Sequence, residues 1–264
     1  MIKLKNYFYN LNLYFCTNYF KMSKALVIIP TYNELDNISI VLDEVLTLSY
    51  SFDILVVDDN SPDGTSDIVN QYINKFKERV FLLSRKSKEG LGKAYTEGFL
   101  WALENNYNYI FEMDADLSHN PKDLERMHQA LEKSNCDVVV GSRYVNGVNV
   151  VNWPLSRIIL SYFASIYSRV ITGLPVKDAT SGFVGYKNIV LRTINLKTLL
   201  FNGYAFQIEL KFKAFKNGFK ILEIPIIFKD RERGDSKMNG DIIYEAVFGL
   251  IKMKFYSFFY NINK

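Results

Sequence analysis

From Ala25 onward, short apolar runs alternate with longer stretches of helical period. Ala25 to Ile29 is an unbroken aliphatic run that predicts a strand, a helical stretch begins at Asn37, and Ile54 to Val57 is a second apolar run ending in acidic residues. The alternation continues through a helix over Thr65 to Phe76, a strand over Val80 to Leu83, a helix over Leu91 to Leu103, a strand over Tyr109 to Met113, a helix over Pro121 to Lys133 and a strand over Asp137 to Val140. Apolar strands separated by crossover helices predict a Rossmann-like, mostly parallel α/β sheet flanked by helices on both faces, because parallel neighbours need such connections. Ligands of open sheets of this kind gather at the carboxyl ends of the strands.

Past Gly141 the regularity stops. Trp153 to Gly173 reads as an amphipathic helix with a broad aromatic and aliphatic face and with Arg157 and Arg169 among its polar positions; it either packs on the sheet or meets lipid. A helix over Phe206 to Lys216 and a β-like run over Phe219 to Phe228 precede a polar loop from Asp230 to Lys237, and a final apolar helix starts near Asp241. Three segments result. Residues 1–22 form a Tyr-, Phe-, Asn- and Lys-rich leader, poorly ordered ahead of a start at Met22 or else interfacial. Residues 23–241 form the main domain. Residues 242–264, apolar but carrying Glu245, Lys252 and Lys254, form an amphipathic helix for an interface or a partner.

The chain of 264 residues, with 48% hydrophobic and 23% charged residues, can bury the core of one large α/β domain. A net charge of +4 suits anionic partners such as nucleotides, phosphates or an acidic membrane face; no nucleic-acid partner is expected. Cys16 and Cys136 lie far apart and read as free thiols of a reducing compartment. Without about 18 consecutive apolar residues, no membrane-spanning helix is predicted.

The polar residues that interrupt the apolar pattern fall where the sheet would place a site. Pro30-Thr31-Tyr32-Asn33-Glu34 follows the first strand, Asp58-Asp59-Asn60-Ser61 the second and Asp114-Ala115-Asp116 the fourth, so all three can line one crevice. A proline stands where a dinucleotide-binding fold has its GxGxxG turn, which argues against a dehydrogenase. Asp114 and Asp116, at a strand end behind Phe111 and Met113, suit a hard divalent cation such as Mg²⁺ or Mn²⁺ better than a surface pair, provided the chain turns there. Asp58 and Asp59 exceed what capping the next helix needs and would fit a ribose or a base edge. Arg143, Arg231, Arg233 and Lys237 are the cations that could stabilise a departing diphosphate.

These blocks resemble the family 2 glycosyltransferases over residues 25 to 241, and within them the dolichyl-phosphate mannose synthases: IPTYNE at 29–34, VVDDNSPDGT at 56–65, MDADLSHNP at 113–121, GSRY at 141–144, GYAFQIEL at 203–210 and DRERGDSKM at 230–238. The resemblance implies a GT-A fold and transfer of mannose, with inversion, from GDP-mannose to dolichyl or another polyprenyl phosphate. It also implies a cofactor of Mg²⁺ or Mn²⁺ and a place on the cytosolic face of the endoplasmic reticulum membrane, directly or through small membrane-anchoring subunits. By it, Pro30, Tyr32, Glu34, Val57 and Asp59 would line the guanosine pocket. Asp114, Ala115 and Asp116 would contact the sugar nucleotide and its metal, and Arg143, Arg231 and Lys237 would hold phosphates. Catalysis would fall to Asp116, Arg143, Arg231 and Lys237. Two positions depart from the pattern: Ser118 stands where some relatives have a metal-binding Gln, and Val184 where many have Arg. A lipid monophosphate, with a second pKa of about 6, needs no general base. His119 could then tune the metal motif, and His128 reads as structural. The alternatives are a UDP-glucose:dolichyl-phosphate glucosyltransferase and a catalytically silent subunit that binds lipid or partners.

Overall fold

The computed structural model describes residues 23–203, 205–230 and 240–259. In chain order the elements that position the site are β1 (Ala25–Thr31), α1 (Leu35–Leu46), β2 (Asp53–Asp58), α2 (Thr65–Lys75), β3 (Val80–Ser84), α3 (Leu91–Glu104), β4 (Tyr109–Glu112), α4 (Asp123–Lys133) and β5 (Val138–Ser142). There follow β6 (Val150–Val151), α5 (Leu155–Thr172), β7 (Val184–Lys187), α6 (Asn188–Thr193), α7 (Phe206–Lys216), β8 (Ile221–Pro225), β9 (Phe228–Lys229) and α8 (Gly240–Phe259). Among the described residues the main sheet runs β3-β2-β1-β4-β7-β5-β8, and β6 pairs with β9 in a small second sheet.

The period of two along each strand divides the core between the faces of the sheet. Leu26, Ile28, Leu55 and Val57 meet Ala94, Tyr95 and Phe99 of α3 on one face. Val27, Ile29, Ile54 and Val56 meet Ile38 and Val41 of α1 and Leu124 and Met127 of α4 on the other. Each such buried aliphatic side chain contributes about 1.5–3 kcal/mol. Helix α3 lies close to the sheet because Gly98 faces it: a Cβ there would stand 2.8 Å from Ile28 Cγ2.

The sheet is parallel throughout except at β7, which runs antiparallel to both β4 and β5. That strand escapes a reading of the apolar pattern, because it is four residues long and holds a glycine. Packing explains the glycine: a Cβ on Gly185 would stand 2.6 Å from the Phe111 ring, so any side chain there would push β4 and β7 apart. The run expected over Phe219 to Phe228 divides in two. Ile226 N–H donates to Ser142 O at 3.0 Å, the chain bends, and Phe228–Lys229 pairs with Val150–Val151 instead of extending β8.

Helix α5 turns its small hydroxyl residues inward, burying Ser165, Ser168 and Thr172, while Leu155, Ile159, Phe163 and Val170 are exposed. These exposed apolar residues point away from the core, while Tyr167 and Ile171 of the same helix pack against it. Helix α8 lies against it, with the Tyr167 hydroxyl donating to Val247 O at 2.7 Å and Lys254 Nζ to Thr172 O at 3.0 Å. Helix α8 begins two residues before the expected boundary at 242, and its Leu250 and Met253 join the main core. No helix among the described residues is long and apolar enough to cross a membrane. Cys136 is a buried free thiol; the leader with Cys16 lies outside the described residues.

Candidate active site

The loops after β1 and β2 are built as one unit, and Asp58 is its centre. Its carboxylate accepts from Thr31 Oγ1 (2.8 Å), Ser61 N (2.9 Å), Ser61 Oγ (2.6 Å) and Ser66 Oγ (2.9 Å). The expectation that Asp58 binds a ribose or base is corrected: this buried carboxylate is occupied in holding the crevice wall. Asp63 does a similar service, accepting from Thr65 N and Oγ1 at the start of α2 and from Leu35 N at the start of α1. Burial alone would raise the Asp63 carboxyl, but the hydrogen bonds from Thr65 and Leu35 outweigh it and hold it below the usual range. Asn33 N–H donates to Ser61 Oγ and Glu34 N–H to Thr65 Oγ1, both at 3.0 Å, so the Tyr32–Glu34 segment is fixed in register against the second loop.

Within this frame Pro30, next to last in β1, is half-buried, Tyr32 lies beneath the Lys88 ammonium at 4.4 Å, and Glu34 Oε2 accepts from Asn37 Nδ2 at 3.0 Å. The Val57 side chain is 0% exposed in the core beside α3, so the part of Val57 left to line a pocket is its backbone. Asp59 is paired with Arg85, whose Nε also reaches Glu97 Oε1 at 3.0 Å. Burial pushes the Asp59 carboxyl up and Arg85 draws it back. Arg85 was not singled out from sequence, although it follows β3 as the acidic pairs follow β2 and β4. Its Nη2 is buried without a hydrogen-bond partner.

At the carboxyl end of β4 the strand stops at Glu112, so Asp114, Ala115 and Asp116 lie on a turn. Leu117 takes φ +61° and Ser118 N–H donates to Asp116 Oδ1 at 3.1 Å, so the two carboxylates stand on turning backbone and not on a pleated strand. Asp114 and Asp116 are half-buried, and the Ser118 hydroxyl is buried with no hydrogen-bond partner. Two carboxylates and an uncommitted hydroxyl form an all-oxygen donor set that fits Mg²⁺ or Mn²⁺. Among the described residues no group of three or more His, Cys, Asp or Glu side chains is placed to hold a metal ion, so this donor set is incomplete on its own. Beside the turn, His119 Nδ1 accepts from Asp114 N–H at 3.3 Å, and its ring stacks on Phe183 at 4.7 Å. Burial drives this imidazole down to about 4, against Asp116, so it is neutral at physiological pH.

Arg143 emerges from β5 into an enclosure of Tyr144, Trp153 and Phe228 rings, 5.2 to 5.6 Å from its guanidinium carbon. Asp178 grips it through Nε and Nη2, both at 2.7 Å. Arg157 stacks on the other side of this region, 4.2 Å from the Trp153 ring, and pairs with Asp230 at 2.6 Å. Arg231, Arg233 and Lys237 lie outside the described residues.

Beside Glu112 at the end of β4, helix α7, which begins within the GYAFQIEL segment, supplies a buried polar layer. Gln207 Nε2 donates to Glu112, and Lys211 Nζ donates to Ser181 O at 2.8 Å and Gln207 O at 3.0 Å. Burial raises Glu112 to about 7 and lowers Lys211 to about 8. Sequence alone marked this segment as a recognition block but gave it no task; the structure shows it joining β4 to the loop after α5.

Comparison with known proteins agrees with this geometry. Residues 26–195 match the model of "Glycosyl transferase family 2". The chain is 44% identical over 225 residues to a polyprenol monophosphomannose synthase of Mycolicibacterium smegmatis, covering 85% of this chain and 84% of that protein. It is 43% identical over 224 residues to an undecaprenyl-phosphate mannosyltransferase of Micrococcus luteus, covering 85% and 91%. Among solved structures, glucosyl-3-phosphoglycerate synthase of Mycobacterium tuberculosis, in complex with Mn²⁺, UDP and glucosyl-3-phosphoglycerate, superposes with a TM-score of 0.64 over 89% of this chain and 80% of that one, at 16% identity. The same enzyme with Mg²⁺ and UDP gives 0.61 over 89% and 79%, also at 16% identity. Those two likenesses speak to the fold.

Proposed function

This chain belongs to glycosyl transferase family 2, and we propose that within it the protein transfers mannose from GDP-mannose to the phosphate of a polyprenyl lipid, giving the lipid-linked mannosyl phosphate. The observation that carries this reading is the extent of the likeness to two polyprenyl-phosphate mannosyltransferases, each across 85% of the chain. Both relatives are bacterial, with polyprenol and undecaprenyl in their names, so the acceptor is put no more narrowly than a polyprenyl phosphate, of which dolichyl phosphate is one. A place on the endoplasmic reticulum, and service to N-glycan, GPI-anchor and mannosylation pathways, follow only if dolichyl phosphate is the acceptor.

A phosphate oxygen of the lipid would attack the anomeric carbon as the bond to the diphosphate breaks, with inversion, and GDP would leave. The acceptor is already anionic at neutral pH, so no residue has to remove a proton. The wall formed by Tyr32, Glu34, Asp59 and Arg85 would receive the nucleoside, the aromatic ring and the buried carboxylate–guanidinium pair offering stacking and hydrogen-bond edges. Asp114, Asp116 and the Ser118 hydroxyl would hold Mg²⁺ or Mn²⁺, which when bound offsets charge on the diphosphate. Arg143, with Arg231 and Lys237 from the following loop, would face the phosphates, and fixed cations there lower the barrier where charge develops. Residues 23–241 would be the catalytic domain, with the exposed faces of α5 and α8 against the membrane surface or a small anchoring subunit.

The test is a donor screen with a short polyprenyl phosphate and Mg²⁺ or Mn²⁺. Mannosyl transfer from GDP-mannose is expected; transfer from UDP-glucose alone would replace this reading with a glucosyltransferase, and no transfer from any donor with a non-catalytic subunit.

A further inference from the structure

We propose that Asp178 is the positioning residue for Arg143, setting the guanidinium in the one orientation in which it serves the phosphates. This rests on the reading of Arg143 given above. Arg143 sits on a bend after β5, where the Tyr144, Trp153 and Phe228 rings enclose its guanidinium but offer it no hydrogen-bond acceptor to set its orientation. Three bonds from one carboxylate do so instead: Asp178 Oδ2 accepts from Arg143 backbone N at 2.9 Å and Nε at 2.7 Å, and Oδ1 accepts from Nη2 at 2.7 Å. Because the same carboxylate holds both the backbone and the side chain of Arg143, it fixes every torsion between them. The grip takes the Nε/Nη2 edge and leaves Nη1 outside the clamp. Thr180 Oγ1 accepts from Nη2 at 2.8 Å and is itself within 3.0 Å of Ser165 Oγ on α5.

Asp178 is held as firmly as it holds. Its side chain is 0% exposed, and its backbone N–H donates to Glu223 Oε1 at 2.9 Å. Burial alone would raise this carboxyl, but Arg143, with Lys211 beyond it, outweighs burial and keeps it below the usual range. An arginine loses the freedom of several rotamers on binding an anion unless it is preorganised, so a clamp of this kind acts on the rate of transfer without touching either substrate.

The experiment is a double-mutant cycle with GDP-mannose, a short polyprenyl phosphate and Mn²⁺, measuring kcat and both KM values for Asp178→Asn, Arg143→Lys and the pair. Asp178→Asn keeps the volume and removes the charge. It is expected to lower kcat about 10-fold or more with KM for GDP-mannose changed less than threefold, on the scale of weakening one charge-stabilising donor. In the Arg143→Lys background, where the fork is gone, the same change is expected to cost less than twofold. An equal loss in both backgrounds, or none in either, overturns the positioning role. Wild-type kinetics for Arg143→Lys and Arg143→Ala would instead overturn the reading of Arg143, a separate failure. Should Asp178→Asn not fold, Thr180→Val removes only the Nη2 contact: a loss of about threefold in the native background and none with Arg143→Lys supports the clamp, and unchanged kcat in both overturns it.

Discussion

Individual side chains at this site divide into those that face the crevice and those that hold the crevice in shape, and neighbouring acids can fall on opposite sides of that division. Asp58 and Asp59 are adjacent, yet the first is consumed by Thr31, Ser61 and Ser66 while the second lies against Arg85. Asp116 belongs to the facing group. Asp116→Ala is expected to abolish transfer at every Mn²⁺ concentration while leaving the thermal midpoint within a few degrees, since a half-buried turn carboxylate contributes little to the core. Titration of Mn²⁺ with GDP, followed calorimetrically, should show the same loss, and undiminished binding would remove Asp116 from the donor set. His128 belongs to the holding group. Its ring lies 3.9 Å from Tyr50 and 4.8 Å from Tyr109, and burial depresses its basicity. A histidine whose folded pKa lies below the unfolded value contributes stability that is complete above about pH 6.5 and declines as the unfolded chain gains the proton first. The native protein should therefore lose more melting temperature between pH 7.5 and 5.5 than His128→Leu does. Parallel pH curves for the two proteins would contradict this.

At the scale of elements, the crevice depends on two loops bolted together, and the bolt is testable. Asp58→Ala strands the buried Thr31 hydroxyl and frees the Ser61 turn, so a destabilisation of about 3 kcal/mol is expected from a denaturant melt. GDP-mannose affinity should fall as well, because Asn33 and Glu34 take their positions from Ser61 and Thr65. A change below about 0.5 kcal/mol would show the loops to be independent. These elements also show what a chain reveals before it is folded. The strands β1, β2, β3, β4 and β5 were legible because each is an apolar run bounded by polar turns, and their carboxyl ends located the site. Strand β7 was illegible because its pattern is broken by Gly185, which only the Phe111 ring behind it explains. Helix α5 was legible as amphipathic but not in which face turns inward, since serines at 165 and 168 become core residues only through the partners they meet. The roles of Arg85, Asp178 and Gln207 were hidden for the same reason. Each is defined by a contact remote in sequence: 26 residues to Asp59, 35 to Arg143 and 95 to Glu112.

Over the whole molecule, the site and the apolar surface are neighbours, and that adjacency is what a lipid phosphate requires. Trp153, just before α5, lies over Arg143, and Arg157 in its first turn pairs with Asp230. From that end α5 carries outward Leu155 at 70% exposure, Phe163 at 61% and Val170 at 75%, and α8 beside it adds Phe248 at 55% and Phe255 at 63%. Apolar side chains scattered singly are ordinary on a protein surface; exposed apolar residues at this density on two helices in contact suit a docking role. Such a face suits an acyl-chain boundary, and the net charge of +4 adds attraction to anionic headgroups. Each buried Phe contributes about 1.5–3 kcal/mol on leaving water, so Phe163→Glu with Phe255→Glu should weaken binding to anionic phospholipid vesicles by about 100-fold or more. Because both residues are exposed, the melting temperature should hold and mannosyl transfer to a water-soluble, short-chain acceptor should stay within about twofold. Transfer to a long-chain acceptor in vesicles should fall with vesicle binding. If vesicle binding survives both substitutions, the face is a seat for another protein, and the lipid must reach Arg143 from a different side of the fold.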